Sequence, residues 1–287
     1  MTTTRGRTAG VVVVLVFAAL LGSAYVLGRS LVPDASPPRP GVTGGVGGPQ
    51  YAEQPATGDR PVGGDPRGPQ ADQDGTGHHT AENVGDGPFG SRTSTNSHRV
   101  ALTFDDGPHP TYTPQVLDVL REFGVRATFC VVGENAQRHP DLIRAIVADG
   151  HTLCNHSWRH DVQLGQRSRD AIRADLLRTN EAIRAAVPDA HIVWYRQPGG
   201  AWTYPVVAVA EQLGMTPVHW NVDPVDWQAP GALPIATTVV RDTTPGSIVL
   251  LHDAGGERQG TVDALRHMLP ELTSRFQLDA LPQDGTT

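Results

Sequence analysis

The 287-residue chain has no run of basic residues interleaved with aromatics, and its formal net charge is −7. That excludes nucleic acid as a partner, which would call for a basic patch. Cysteine is scarce: only Cys130 and Cys154 occur, so at most one intrachain disulfide can form. Both lie in strand-like segments of a domain that reads as exported, where a disulfide is permitted. Two buried free thiols fit the sequence equally well. No internal repeat is evident. Bulky apolar residues are sparse from Pro33 to Ser97, where Pro, Gly, Asp, Gln and Thr dominate. Such a segment cannot bury enough surface to offset its ordering entropy, and it reads as a disordered tether. His78-His79 lie within it and read as solvated linker histidines.

One long apolar run is present. Arg5 and Arg7 precede an uncharged stretch from Gly10 to Gly28, cored by Val11 to Leu21. Its length is near the lower limit for spanning a bilayer, roughly 17–20 residues. The basic flank predicts a cytoplasmic N-terminus. Gly22-Ser23-Ala24 also resembles a signal-peptide cleavage site, but apolar residues continue to Leu27, which favours an uncleaved anchor. The chain therefore divides into a signal or anchor segment (1–32), the tether (33–97), a folded domain (98–280) and a short tail (281–287). The expected location is outside the cell, held at the membrane by the N-terminal segment, or secreted if that segment is cut.

Strand-like and helix-like segments alternate through the folded part. Strands are predicted at 100–104, 127–132, 151–154, 191–195, 216–222 and 247–251. Helices are predicted over 113–123, 140–149, 168–187, 205–213, 233–240 and 261–276. Pro114 suits a first helical turn, Ser168 an N-cap, and Gly124 and Gly150 helix ends. This βα alternation predicts a parallel α/β sheet covered by helices, either open and doubly wound or a small barrel. In both, chemistry belongs at the carboxyl ends of the strands.

Polar clusters fall at those ends. Asp105-Asp106 follow the first strand, and Gly107-Pro108 break it, so both carboxylates can face one site. Taken alone the pair fits either catalysis or a polar turn. His156-Ser157-Trp158-Arg159-His160 follows the third strand, with two imidazoles four residues apart on one side of a helical turn. Two imidazoles and one carboxylate make a three-ligand site with open positions, the pattern of a catalytic ion. Non-haem iron takes the same set, but iron oxygenation leaves the second carboxylate without a role. Arg196 to Gly200 follows the fourth predicted strand, Asp223 to Trp227 the fifth, and Leu250-Leu251-His252 ends the sixth.

These five stretches, in this order, resemble the polysaccharide deacetylase family (NodB-type, carbohydrate esterase family 4). The resemblance covers nearly all of the folded part and none of the tether. It implies a distorted short (β/α) barrel of about seven strands. It also implies a divalent ion, commonly zinc, with cobalt or nickel as alternatives. By the same resemblance Asp106, His156 and His160 are the metal ligands, Asp105 the general base and His252 the general acid. Arg196 holds the base and Asp226 tunes His252. A backbone N–H near Gly199 meets the oxyanion, while Trp227 and Leu250 line the pocket for the acetyl methyl. The implied activity is hydrolysis of N-acetyl groups on an N-acetylglucosamine polymer, peptidoglycan or chitin-type. An O-acetyl (acetylxylan) esterase and a non-catalytic glycan-binding protein are the alternatives.

The third motif departs from the family's usual Arg-Pro-Pro-aromatic-Gly: Gln197 replaces the first proline and Gly199 the aromatic. Trp202 is the candidate to rebuild the lost aromatic wall. Trp158 and Trp194 read as packing residues.

Overall fold

Six short apolar segments build the floor of the domain in a computed structural model, which describes residues 85–285. The anchor or signal segment, the tether up to residue 84 and His78-His79 lie outside the described residues. The strands are β1 (Ala101–Asp105), β2 (Thr128–Val131), β3 (Thr152–Asn155), β4 (Trp194–Tyr195), β5 (Thr216–Pro217) and β6 (Ile248–His252). They form one sheet in the order β5-β4-β3-β2-β1-β6, parallel throughout. Among the described residues the seven α-helices are α1 (Tyr112–Glu122), α2 (Gly133–Arg138), α3 (Pro140–Ala148), α4 (Arg169–Ala186), α5 (Tyr204–Gln212), α6 (Ala232–Asp242) and α7 (Gln259–Arg275). Among the described residues no helix is long and apolar enough to cross a membrane.

The strand number is corrected from about seven to six. The segment 216–222, expected as one strand, keeps strand pairing only at its start. Val218 donates its N–H to the Tyr195 carbonyl at 2.9 Å, beside β4. Asn221 then donates to Ile248, and Leu250 donates to Val222 at 2.9 Å, on the opposite edge of the sheet. One stretch of chain thus touches both edges, and the sheet is curled into a half-barrel. Six helices lie within a residue or two of their predicted bounds. The Ser168 side chain caps α4 by accepting from the Ala171 N–H, as expected of an N-cap serine. The short helix α2 was not anticipated, because only Gly133 and Ala136 of its six residues are buried and no apolar stripe marks it.

Side chains alternate across the strands. Phe104 and Phe129 stack at 5.1 Å and join Leu120, Ile143, Ile172, Ile183 and Leu265 beneath the helices. Each such fully buried side chain contributes about 1.5–3 kcal/mol by leaving water. On the other face Ala101, Cys130, Cys154, Trp194, Val218, Ile248 and Leu281 form a second cluster. Cys130 and Cys154 are register partners on β2 and β3 and are joined in a disulfide.

The folded part is longer at both ends than 98–280. Arg92 pairs with the 217–219 stretch, and Thr95 donates its N–H to Gly246. At the other end Leu281 bonds both Thr128 and Thr152, and the Trp194 indole donates to the Pro282 carbonyl at 2.7 Å. Composition misses these flanks because their order comes from backbone pairing with the sheet, which needs no apolar pattern.

Candidate active site

All the strand-end clusters open at the carboxyl end of the sheet. Asp105 is the last residue of β1, His156 follows β3, Arg196 follows β4 and His252 closes β6. Asp106 has φ 75°, a left-handed conformation that Asp tolerates better than most residues. The break therefore begins at Asp106 itself, one residue before the Gly107-Pro108 predicted to make it.

Asp105 is buried, and Arg196 fixes it. The Arg196 Nη1 donates to Asp105 Oδ1 at 2.8 Å and to the Thr103 hydroxyl at 2.7 Å. Its Nε and Nη2 donate to the carbonyls of Val218 and His219. The planar guanidinium thus meets four acceptors, two on β1 and two on the segment that bridges the sheet edges, a fork that an ammonium lacks.

Asp106, His156 and His160 converge. Asp106 Oδ1 lies 3.5 Å from His156 Nε2 and 3.3 Å from His160 Nε2. These separations are long for hydrogen bonds, and Asp106 Oδ1 is a buried atom with no hydrogen-bond partner. One ligand atom from each of the three residues lies within 4.8 Å of the others. A buried carboxylate oxygen without a donor, facing two imidazole nitrogens, is the donor set a divalent ion takes. His156 Nδ1 lies 2.8 Å from the Arg196 carbonyl, so the proton sits on Nδ1 and Nε2 keeps its lone pair for a ligand bond. Burial opposes ionisation of Asp106, but His156, with His160 and His252, more than offsets it and holds the carboxyl well below the usual carboxylate range. Burial and the neighbouring His156 lower the His160 pKa, which favours the neutral imidazole that a metal needs.

The histidine turn is not helical, contrary to expectation. Ser157 and His160 have φ 64° and 56°. The turn is held by Asn155 Oδ1 on the Ser157 N–H, by Asp175 Oδ1 on the Trp158 N–H and by backbone bonds from α2. The rings still meet, with centroids 5.1 Å apart.

His252 forms the second half. Its Nδ1 lies 2.7 Å from Asp226 Oδ1, and its backbone N–H donates to Asp226 Oδ2 at 2.9 Å. Thr261 also donates to Oδ2. Burial disfavours the imidazolium, but the hydrogen bond and charge of Asp226, with Asp105 and Asp106 beyond, outweigh it and push the His252 pKa up to about 9.

Of the remaining predicted residues, Leu250 is buried in β6 two positions before His252, and Trp227 is 52% exposed on the turn after Asp226. Gly199 is exposed with φ 60°. Trp202 does not rebuild an aromatic wall. It is buried, packs edge-on against Tyr195 and donates its Nε1–H to His219 Nδ1 at 3.1 Å. Trp158 and Trp194 are buried packing residues, as expected.

A chitooligosaccharide deacetylase from Sinorhizobium fredii is 42% identical over 204 residues, covering 67% of this chain and 94% of that protein. The family profile described as polysaccharide deacetylase matches residues 92–218. This chain belongs to the polysaccharide deacetylase family. Its fold also resembles the Bc1960 peptidoglycan N-acetylglucosamine deacetylase, with TM-score 0.64 and 34% identity over 68% of this chain and 92% of that one. A pseudoenzyme of carbohydrate esterase family 4 from Bacillus anthracis aligns with TM-score 0.61 and 29% identity, over 67% of each chain. Fold alone therefore does not separate active from inactive members, and the site must do so.

In this polysaccharide deacetylase several supporting residues escaped sequence reasoning. Asn135 on α2 donates to the Asp106 carbonyl at 2.8 Å. Arg258 is buried and donates to the carbonyls of Ala254, Gly255, Asp226, Trp227 and Glu257, tying the loop after β6 to the Asp226 turn. Asp253 is buried against Gly107 and hydrogen-bonded by the Thr113 hydroxyl. Burial, only partly opposed by Thr113, raises its pKa to about 7. Position beside a motif was the only signal for Asp253; Asn135 and Arg258 had none.

Proposed function

We propose that this deacetylase hydrolyses N-acetyl groups on an extracellular N-acetylglucosamine polymer, with peptidoglycan the leading substrate and chitin oligomers the second. The observation that carries this reading is the pairing of two units at one sheet end. A buried carboxylate clamped by Arg196 lies beside an Asp-His-His set, and His252 is held as a cation by Asp226.

Asp105 takes a proton from the water that attacks the acetyl carbonyl carbon, and Arg196 keeps its carboxylate aimed. His252 gives its proton to the departing nitrogen, which leaves poorly unprotonated. The C–O bond forms first and gives a tetrahedral oxyanion, whose collapse breaks the C–N bond and leaves acetate and a free amine on the sugar. The backbone N–H of Gly199 donates to the oxyanion, and Trp227 and Leu250 enclose the acetyl methyl. Asp106, His156 and His160 hold a divalent ion, zinc in the first instance and cobalt or nickel as alternatives. When bound, it polarises the carbonyl and acidifies water.

Peptidoglycan is preferred because the N-terminal apolar run and tether would keep the domain outside the cell, near its own wall. Retention of every base, acid and ligand position speaks against a binding-only protein. Acetate release from peptidoglycan, chitin oligomers and acetylxylan tests the reading: amide substrates are expected to be cleaved, and activity on acetylxylan alone would overturn it.

A further inference from the structure

Consecutive residues at the end of β4 reach different parts of the site. The Arg196 side chain fixes Asp105, and its carbonyl accepts from His156. The third partner, His160, is less obviously supported. It has φ 56° with a Cβ, a left-handed conformation that costs about 1–2 kcal/mol and must be held by its surroundings. The segment that follows it, Asp161-Val162, meets Gln197.

Gln197 is fully buried, as is Tyr195. The Tyr195 hydroxyl makes a short hydrogen bond to Gln197 Oε1. A phenol is the donor there, so the amide orientation is set and Nε2 faces the other way. Nε2 donates to the carbonyls of both Asp161 and Val162 at 3.4 Å, a shared and individually weak pair of bonds. A proline at this position has no such donor. Gly199 complements the arrangement. A Cβ built there would stand 3.3 Å from Val162 Cγ1, tighter than ordinary contact. The two departures from the family's third motif therefore act on one segment: Gln197 ties it down and Gly199 leaves room for it.

We propose that Gln197, oriented by Tyr195, is a positioning residue for the metal ligand His160, anchoring the Asp161-Val162 segment that fixes the imidazole. The inference rests on the metal-site reading of Asp106, His156 and His160. Gln197 touches neither substrate nor ion and acts through the backbone next to His160.

The test is calorimetric titration of Zn²⁺ into the metal-free 287-residue protein and its variants, alongside thermal unfolding of the metal-free forms. Gln197→Met keeps length without the amide, and Gln197→Glu keeps the acceptor for Tyr195 but turns an oxygen toward the two carbonyls. Each is expected to bind Zn²⁺ about 10–100-fold more weakly, the range found when partners behind a ligand are removed. Excess Zn²⁺ should restore kcat. Tyr195→Phe should show a smaller loss in the same direction, and serves if the Gln197 variants fail to fold. Ile143→Val, a core change on α3, should lower the unfolding temperature without changing affinity. Equal Zn²⁺ affinity in wild type and the variants that fold would overturn the inference while leaving the metal site standing. A wild-type protein that takes up no Zn²⁺ would overturn both.

Discussion

Arg196 and Asp105 form a buried ion pair at 2.8 Å, and the same guanidinium reaches the Val218 and His219 carbonyls on the segment that bridges the sheet edges. The proposed base is thus locked to the element that curls the sheet. Its position follows from the fold rather than from a mobile loop.

Asp105→Asn keeps the shape of the pair and removes the proton acceptor. Turnover should fall about 10²–10⁴-fold, the usual weight of a general base. The bound metal should remain, because Asp105 lies outside the Asp106-His156-His160 set. Arg196→Met is expected to act on the fold, since it leaves a buried carboxylate uncompensated, at a cost of about 3–5 kcal/mol. Acetate release, metal content and thermal unfolding separate the two effects. Undiminished deacetylation by Asp105→Asn would refute the base assignment.

His252 sets a pH limit whose sign follows from its shift. Its pKa is raised from an ordinary value of about 6.5 to about 9, with burial opposing and Asp226 outweighing it. The cation that the proposed acid requires is therefore present at neutral pH and is lost as pH rises through about 9. The same pairing stabilises the fold fully below about pH 6.5, and that contribution disappears as pH passes about 9. Asp226→Asn removes the counter-charge, so the basic limb of the kcat profile should move to lower pH. An unmoved limb would assign it to another group.

If Asp106, His156 and His160 hold the ion as proposed, metal removal is decisive. Chelation should abolish activity, and zinc should restore it. Asp106→Ala and His156→Ala should fail to retain the ion at all, because each removes one of only three protein ligands. Metal content after dialysis distinguishes this from misfolding when read beside the circular dichroism spectrum. Full activity in exhaustively chelated protein would exclude the ion from the reaction.

Much of this site was legible in the chain because its parts sit at strand ends, where short apolar runs and breakers mark position. Asp105, His156, Arg196 and His252 are all found where that reading put them. The helix faces and the Ser168 cap were legible for the same local reasons. What could not be read was set by distant partners. The left-handed turn at Ser157 and His160 depends on Asn155, Asp175 and α2. The 216–222 stretch reads as one strand because its residues alternate as a strand does, yet its partners lie on opposite sheet edges. Trp202 could be placed near the third motif by number, but its burial against Tyr195 and His219 is a tertiary fact. Arg258 sits in a glycine-rich loop, and nothing local tells that its guanidinium turns inward to five carbonyls.

Gly255 supplies a last prediction that sequence position alone would not motivate. It lies in the loop after His252 with φ 72°, and a Cβ built on it would fall 2.1 Å from Asp106 Oδ2. The glycine is therefore the surface against which the Asp106 carboxylate, a proposed metal ligand, rests. Gly255→Ala must displace either the loop or the carboxylate, and it also places a Cβ in a left-handed conformation costing about 1–2 kcal/mol. Arg258 restrains the loop through the Ala254 and Gly255 carbonyls, so the carboxylate is expected to yield. The variant should stay folded, bind zinc more weakly than wild type and lose activity in proportion. Gly214→Ala is the control, since it has a similar φ of 76° with no atom near its added Cβ. It should lose comparable stability and keep its metal. If both variants bind zinc as wild type does, Gly255 is an ordinary turn glycine and Asp106 is held by other contacts.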